Sequence, residues 1–95
     1  MRKYEVMFIL RSDLEQEAID AVLERVEGII QNGGEIVKKD ILGKRRLAYE
    51  IQKQREGIYV VYQFTAPPAV VKELDRVLRI TDEVIRHLIV KDIPA

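Results

Sequence analysis

The chain predicts an α+β, ferredoxin-like fold: β-α-β-β-α-β, a four-stranded antiparallel sheet with two helices on one face. Three observations carry that prediction. The 95 residues, 47% hydrophobic and 34% charged, suit one domain spanning residues 1–95 around a single core. Hydrophobic spacing switches between the strand period of two and the helical period near 3.6 in that order of elements. Right-handed crossovers then place the first and third strands centrally and the second and fourth at the edges.

Tyr4 to Leu10 reads as the first strand, with Val6, Phe8 and Leu10 on its more apolar side. Ser12 and Glu15 have the spacing of a capping box, which predicts a helix start there. Ile19, Val22, Leu23, Val26, Ile29 and Ile30 form one apolar stripe, and Asn32-Gly33-Gly34 ends the helix. Ile36 to Ile51 reads as one long strand, bent or bulged near Gly43. Lys53 to Gly57 reads as a hairpin turn in which Gly57 supplies a permissive backbone, and Ile58 to Thr65 returns as a strand. Pro67-Pro68 opens a second helix with Val70, Val71, Leu74, Val77 and Leu78 inward. Thr81-Asp82 turns the chain into a last strand, Val84 to Lys91, and Ile93-Pro94-Ala95 is a short tail.

With Val6, Phe8, Leu10, Val60, Tyr62, Phe64, Leu88 and Val90 turned to the helices, the helix-free face carries Met7, Ile9, Tyr59, Val61, His87 and Ile89. So apolar a face implies a partner.

Formal charge sums to zero, yet it is unevenly distributed. Residues 13–34 hold Asp13, Glu15, Glu17, Asp20, Glu24 and Glu27 against Arg25, whereas residues 35–57 hold seven cations against four acids. An acidic helix and a basic hairpin would orient the molecule on an anionic partner. One histidine and one serine, His87 and Ser12, lie far apart in sequence, and no nucleophile-base constellation, phosphate loop or metal-binding pair is present. These absences point away from an enzyme, a cofactor and a metal. No apolar run approaches a membrane span, the first five residues lack a signal-peptide core, and there is no cysteine, all consistent with a cytoplasmic protein.

The feature with mechanistic content is Gly43-Lys44-Arg45-Arg46-Leu47-Ala48-Tyr49. Cations on an edge strand commonly serve only to block edge-to-edge aggregation. Three in succession must point to alternate faces, however, an arrangement that solubility does not need and that gripping phosphates can use. The third strand, Gly57 to Phe64, bears comparison with the RNP1 pattern of RNA-recognition motifs. It lacks that motif's second small residue and sets only Tyr59, among its aromatics, on the open face, so base stacking on the sheet is not supported.

Arg2-Lys3-Tyr4-Glu5, the run Gly43 to Ile51, Gly57-Ile58-Tyr59 and Leu78 to His87 together resemble bacterial small-subunit ribosomal protein six, in register along essentially the whole chain. The nearest likeness is to Gram-positive, Bacillus-like members. The resemblance implies a non-enzymatic ribosomal protein of ferredoxin-like fold. It would bind the central domain of small-subunit ribosomal RNA together with ribosomal protein eighteen and support subunit assembly. By position, RNA contacts fall to Arg2, Lys3, Lys44, Arg45, Arg46, Arg79, Arg86 and His87. The protein partner would meet Met7, Tyr49, Tyr59, Val61 and Ile89. Leu42 stands where the family often has tryptophan. An alternative from another class is a small-molecule regulatory or oligomerisation domain whose apolar face pairs with itself.

Overall fold

In the computed structural model, which describes residues 2–51 and 54–91, the six elements follow in the expected order. They are β1 (Arg2–Arg11), α1 (Gln16–Gln31), β2 (Glu35–Ile51), β3 (Gln54–Ala66), α2 (Pro68–Ile80) and β4 (Val84–Lys91). The strands make one sheet in the order β2-β3-β1-β4, every neighbour antiparallel. The ferredoxin-like arrangement is thereby realised, with β1 and β3 central.

Alternation decides the core. Tyr4, Val6, Phe8 and Leu10 of β1 lie beside Phe64, Tyr62, Val60 and Ile58 of β3, and all eight pack against Ile19, Val22, Leu23, Val26 and Ile30 of α1 and Val70, Leu74 and Leu78 of α2. The rings of Phe8 and Tyr62 stack at 6.2 Å and those of Tyr4 and Phe64 at 5.6 Å. Pro68 occupies the first position of α2, where its missing N–H costs nothing.

One polar device crosses this core. The Tyr62 hydroxyl donates to Glu27 Oε2 at 2.6 Å, and Lys39 Nζ donates to the same oxygen at 2.6 Å. The Lys39 hydrogen bond first, then that of Tyr62, holds the Glu27 carboxyl below its ordinary value. Burial first, then Glu27, pushes the Tyr62 phenol up. A tyrosine at the centre of the sheet is thus satisfied, and α1 is tied to β2 and β3.

Three expectations change. The Ser12–Glu15 capping box does not form: the N-cap is Glu15, without a side-chain cap, and its carbonyl accepts from Ala18 and Ile19. The reason is that Arg11 still belongs to the sheet, opposite Gly57 and with its N–H on the Glu83 carbonyl, so residues 12–14 are spent turning. Of the expected turn Lys53–Gly57, Lys53 lies outside the described residues and Gly57 is in β3, not a turn. The tail, Ile93 to Ala95, also lies outside them.

The third change matters most. A bulge between Ile9 and Leu10 pairs Leu10 with Val84 and Ile9 with Arg86, leaving Ile85 extra, and beyond it β4 is displaced by one residue from the expected facing. His87 and Ile89 therefore lie opposite Phe8 and Val6 and turn to the helices, while Arg86, Leu88 and Val90 occupy the open face. Leu88 and Val90, expected inside, are 55% and 41% exposed.

Candidate nucleic-acid interface

The basic strand is shaped by bulges. β2 slips against β3 between Ile36 and Lys38, between Ile41 and Gly43, and between Arg46 and Ile51. The middle slip is where a bend was expected; Gly43 has φ +84°, a conformation that only glycine adopts without strain, and a Cβ there would meet nothing. After it, Lys44, Arg45 and Arg46 lie opposite Ile58, Gly57 and Glu56. Paired residues share a face, so Lys44 and Arg46 point to the helix side and Arg45 to the open side. β1 ends opposite Gly57, so from Arg46 outward the β2–β3 hairpin overhangs the rest of the sheet.

At the root of this overhang the basic triplet differs from the other cations of the hairpin. Lys39 is bound to Glu27, Lys38 lies 3.8 Å from Asp40, and Arg55 lies 3.9 Å from Glu50. Among the described residues, by contrast, no carboxylate pairs with Lys44, Arg45 or Arg46. Arg45 Nε makes a long hydrogen bond, 3.4 Å, to the carbonyl of the bulge residue Leu42. All three side chains are exposed. Fixed, unpaired cations on both faces of one projection can approach phosphates from two sides.

What anchors the hairpin was not visible in the sequence. Between Arg46↔Glu56 and Ile51↔Gln54, residues 47–50 have no partners in β3, so the ladder does not direct them. Leu47 instead turns down onto the open face and forms a second small core with Ile9 and Ile85, flanked by Ile51 and Tyr59. Gly57 makes room beneath it for Ile9. A Cβ there would lie 2.3 Å from Ile9 Cγ2 and 3.6 Å from Leu47 Cδ2, so the glycine is required for close approach rather than for a turn. Beyond Leu47, Arg86 of β4 donates a guanidinium N–H to the Tyr49 hydroxyl. The signal for this in the sequence was a lone leucine amid exposed polar residues, with a glycine at a strand position.

The other expected contacts are dispersed. Arg2 and Lys3 sit at the opposite end of β1 from Arg11 and, over ten residues at about 3.3 Å each, about 30 Å from the hairpin. Arg79 and His87 do come together, but on Asp75. Arg79 forms an ion pair with it within α2, and His87 Nε2 lies 2.8 Å from Asp75 Oδ1. Arg86 lies toward the hairpin end, on the open face, opposite Ile9. Of the expected protein-contact residues, Met7, Tyr59 and Val61 are half-buried on the open face and Tyr49 stands above it, 60% exposed. Ile89 is on the other side, against the main core, as the β4 bulge dictates. Leu88 and Val90 take its place. Leu42, beside Val61 in an open-face groove, is 40% exposed.

Among the described residues no group of histidine, cysteine and carboxylates has metal-binding geometry, and no helix is long and apolar enough to cross a membrane. Comparison with known proteins gives a consistent picture. A family model described as Ribosomal protein S6 matches residues 3–91. A small ribosomal subunit protein bS6 of Clostridium kluyveri is 54% identical over 93 residues, covering 97% of this chain and 98% of that one. Its counterpart in Desulforamulus reducens is 48% identical over 93 residues, with 97% and 98% covered. In three dimensions, the crystal structure of 30S ribosomal protein S6 from Thermotoga maritima superposes with a TM-score of 0.89 at 37% identity, over 95% of this chain and 86% of that one.

Proposed function

The chain belongs to the ribosomal protein S6 family, and from that premise we propose that it is a structural, non-enzymatic component of the bacterial small ribosomal subunit in the cytoplasm. It docks on the central domain of small-subunit ribosomal RNA through the basic hairpin and shares that site with ribosomal protein eighteen, supporting subunit assembly. The observation that carries this reading is the triplet Lys44-Arg45-Arg46 at the root of the overhang, exposed on two faces with no carboxylate partner among the described residues. Arginine's planar fork matches phosphate oxygens in a bidentate way, so Arg45 and Arg46 contribute more than Lys44. Arg2 and Lys3 provide a second point of contact about 30 Å away on a folded RNA surface.

Phosphate contacts fix orientation without reading sequence, and three to five cations give limited affinity at physiological salt. The protein partner supplies the remainder by covering Met7, Tyr59, Val61, Leu88 and Val90 on the open face. Arg79 and His87, both held by Asp75, are secondary contacts in this reading.

The test is the salt dependence of binding to a central-domain RNA fragment. Replacing Arg45 and Arg46 together by alanine lowers the slope of log affinity against log salt by roughly one to two, about 0.7–0.9 for each phosphate no longer neutralised. An unchanged slope in a folded double variant would remove the hairpin from the interface. A chain that binds alone as tightly as with its partner would remove the cooperative part.

A further inference from the structure

We propose that the contact of Arg86 with Tyr49 is a strap that aims the basic hairpin, making both residues positioning residues for RNA binding rather than phosphate contacts. The inference rests on the RNA-docking reading above and assigns it a mechanism. Arg46 is the last residue of the triplet to pair with β3, and the next four have no ladder partner. The direction of this projection is therefore set by side chains reaching back to the sheet. There are two such points. Leu47, adjacent to Arg46, is buried against Ile9 and Ile85. Tyr49, two residues further, accepts a hydrogen bond from Arg86 of β4, at the other edge of the sheet from β2.

Together they draw residues 47–49 of β2 across β1 toward β4, over a hollow of about 190 Å³ lined by Met7, Ile9, Tyr59 and Leu88. Leu47 and Ile51 meet the same small core and act as one pivot; the second point, on β4, fixes the angle about it. The three-residue excess in β2 has a purpose on this view, because a regular hairpin would carry Tyr49 outward with the ladder, away from Arg86. A binding loop held in its bound direction loses less conformational freedom on docking, so a contact remote from the ligand raises affinity without touching it.

Tyr49→Phe removes the acceptor while leaving the ring and every cation. Binding to a central-domain RNA fragment, with ribosomal protein eighteen at fixed concentration, is measured across a salt series. In parallel, amide hydrogen exchange of residues 44–50 is followed in the free protein. The strap predicts an affinity loss of roughly 3- to 10-fold, the net effect of one ordinary solvent-exposed hydrogen bond, with the salt slope unchanged. It also predicts faster exchange of the hairpin amides. Arg86→Ala shows the same loss, and Tyr49→Phe with Arg86→Ala together is no weaker than either alone.

Wild-type affinity and wild-type exchange in Tyr49→Phe would overturn the strap. So would a slope lowered by about one in Arg86→Ala with Tyr49→Phe silent, which would make Arg86 a phosphate contact. Weaker binding without faster exchange would make Tyr49 a direct contact and overturn it equally. If instead Arg45→Ala with Arg46→Ala leaves binding intact, the RNA reading fails, and the exchange data still decide whether the strap exists.

Discussion

Placing a methyl group at Gly57 should disrupt the small core beneath the hairpin, and the size of the effect follows from the geometry. The new Cβ would sit 2.3 Å from Ile9 Cγ2, against an ordinary carbon–carbon contact of about 3.5–4.0 Å. That methyl is attached directly to the Ile9 Cβ, so it moves only by rotating χ1 or shifting β1, and Ile9 is 3% exposed. Forced overpacking of this kind costs about 1–3 kcal/mol. The lower entropy of the unfolded chain returns about 0.4–1 kcal/mol. The net expectation for Gly57→Ala is a loss of about 1–2 kcal/mol, or a Tm lower by roughly 5–15 °C in a domain of this size.

Urea unfolding measures it, and a second background makes it specific. Ile9→Ala alone costs about 2–5 kcal/mol, but it removes the clashing methyl, so Gly57→Ala made in that background is neutral or stabilising. An equal loss in both backgrounds would show that Gly57 is needed for its backbone and not for close approach. Ile9 would then not be what demands a glycine at this position.

Gly43→Ala isolates the opposite case: its Cβ meets nothing, but φ +84° strains any other residue, so a loss of about 1 kcal/mol is expected, smaller for Gly43→Asn. Thermal unfolding checks both. Tyr62→Phe removes one hydrogen bond to Glu27 and should cost about 1.5–3 kcal/mol near neutral pH. Its pH dependence has a definite sign. Glu27 titrates lower folded than unfolded, so its stabilisation is present above its ordinary value of 4.5 and is lost as pH falls through the folded value. With only Lys39 left, that acid limb becomes shallower in Tyr62→Phe. Tyr62 titrates higher folded than unfolded, so its contribution is intact below its ordinary value of 10.0 and declines as pH rises beyond it. The variant lacks that decline, and urea midpoints taken across pH show both limbs.

Much of this molecule was legible because its strands and helices differ in period. Val6, Phe8 and Leu10 alternate, Val60, Tyr62 and Phe64 alternate, and Ile19 to Ile30 form a stripe, so element order, strand order and the main core followed directly. β4 resisted because Val84 to Val90 sets one polar residue on each face, Arg86 and His87, and contains a bulge; alternation cannot assign faces when both sides are equally mixed. The helix start shifted for a different reason: Ser12 and Glu15 have capping spacing, but pairing of Arg11 in the sheet leaves residues 12–14 to turn the chain, so the N-cap falls at Glu15.

The basic triplet was evident as charge, and its alternation of faces followed from strand geometry. Its support was not evident. Leu47, Gly57, Ile85 and Arg86 come from three strands and meet only after the slip of β2 and the bulge in β4, two irregularities that no periodic pattern encodes. The β4 bulge also moved His87 and Ile89 off the open face and put Leu88 and Val90 on it.

The most direct test of a docking role for the hairpin is to map protein–RNA cross-links by mass spectrometry in small ribosomal subunits assembled with this chain. Cross-links to ribosomal RNA concentrated at residues 43–47, with weaker ones at Arg2 and Lys3, are the expected result. Cross-links confined to the acidic outer face of α1, with the hairpin unmodified and digested as in the free protein, would contradict it.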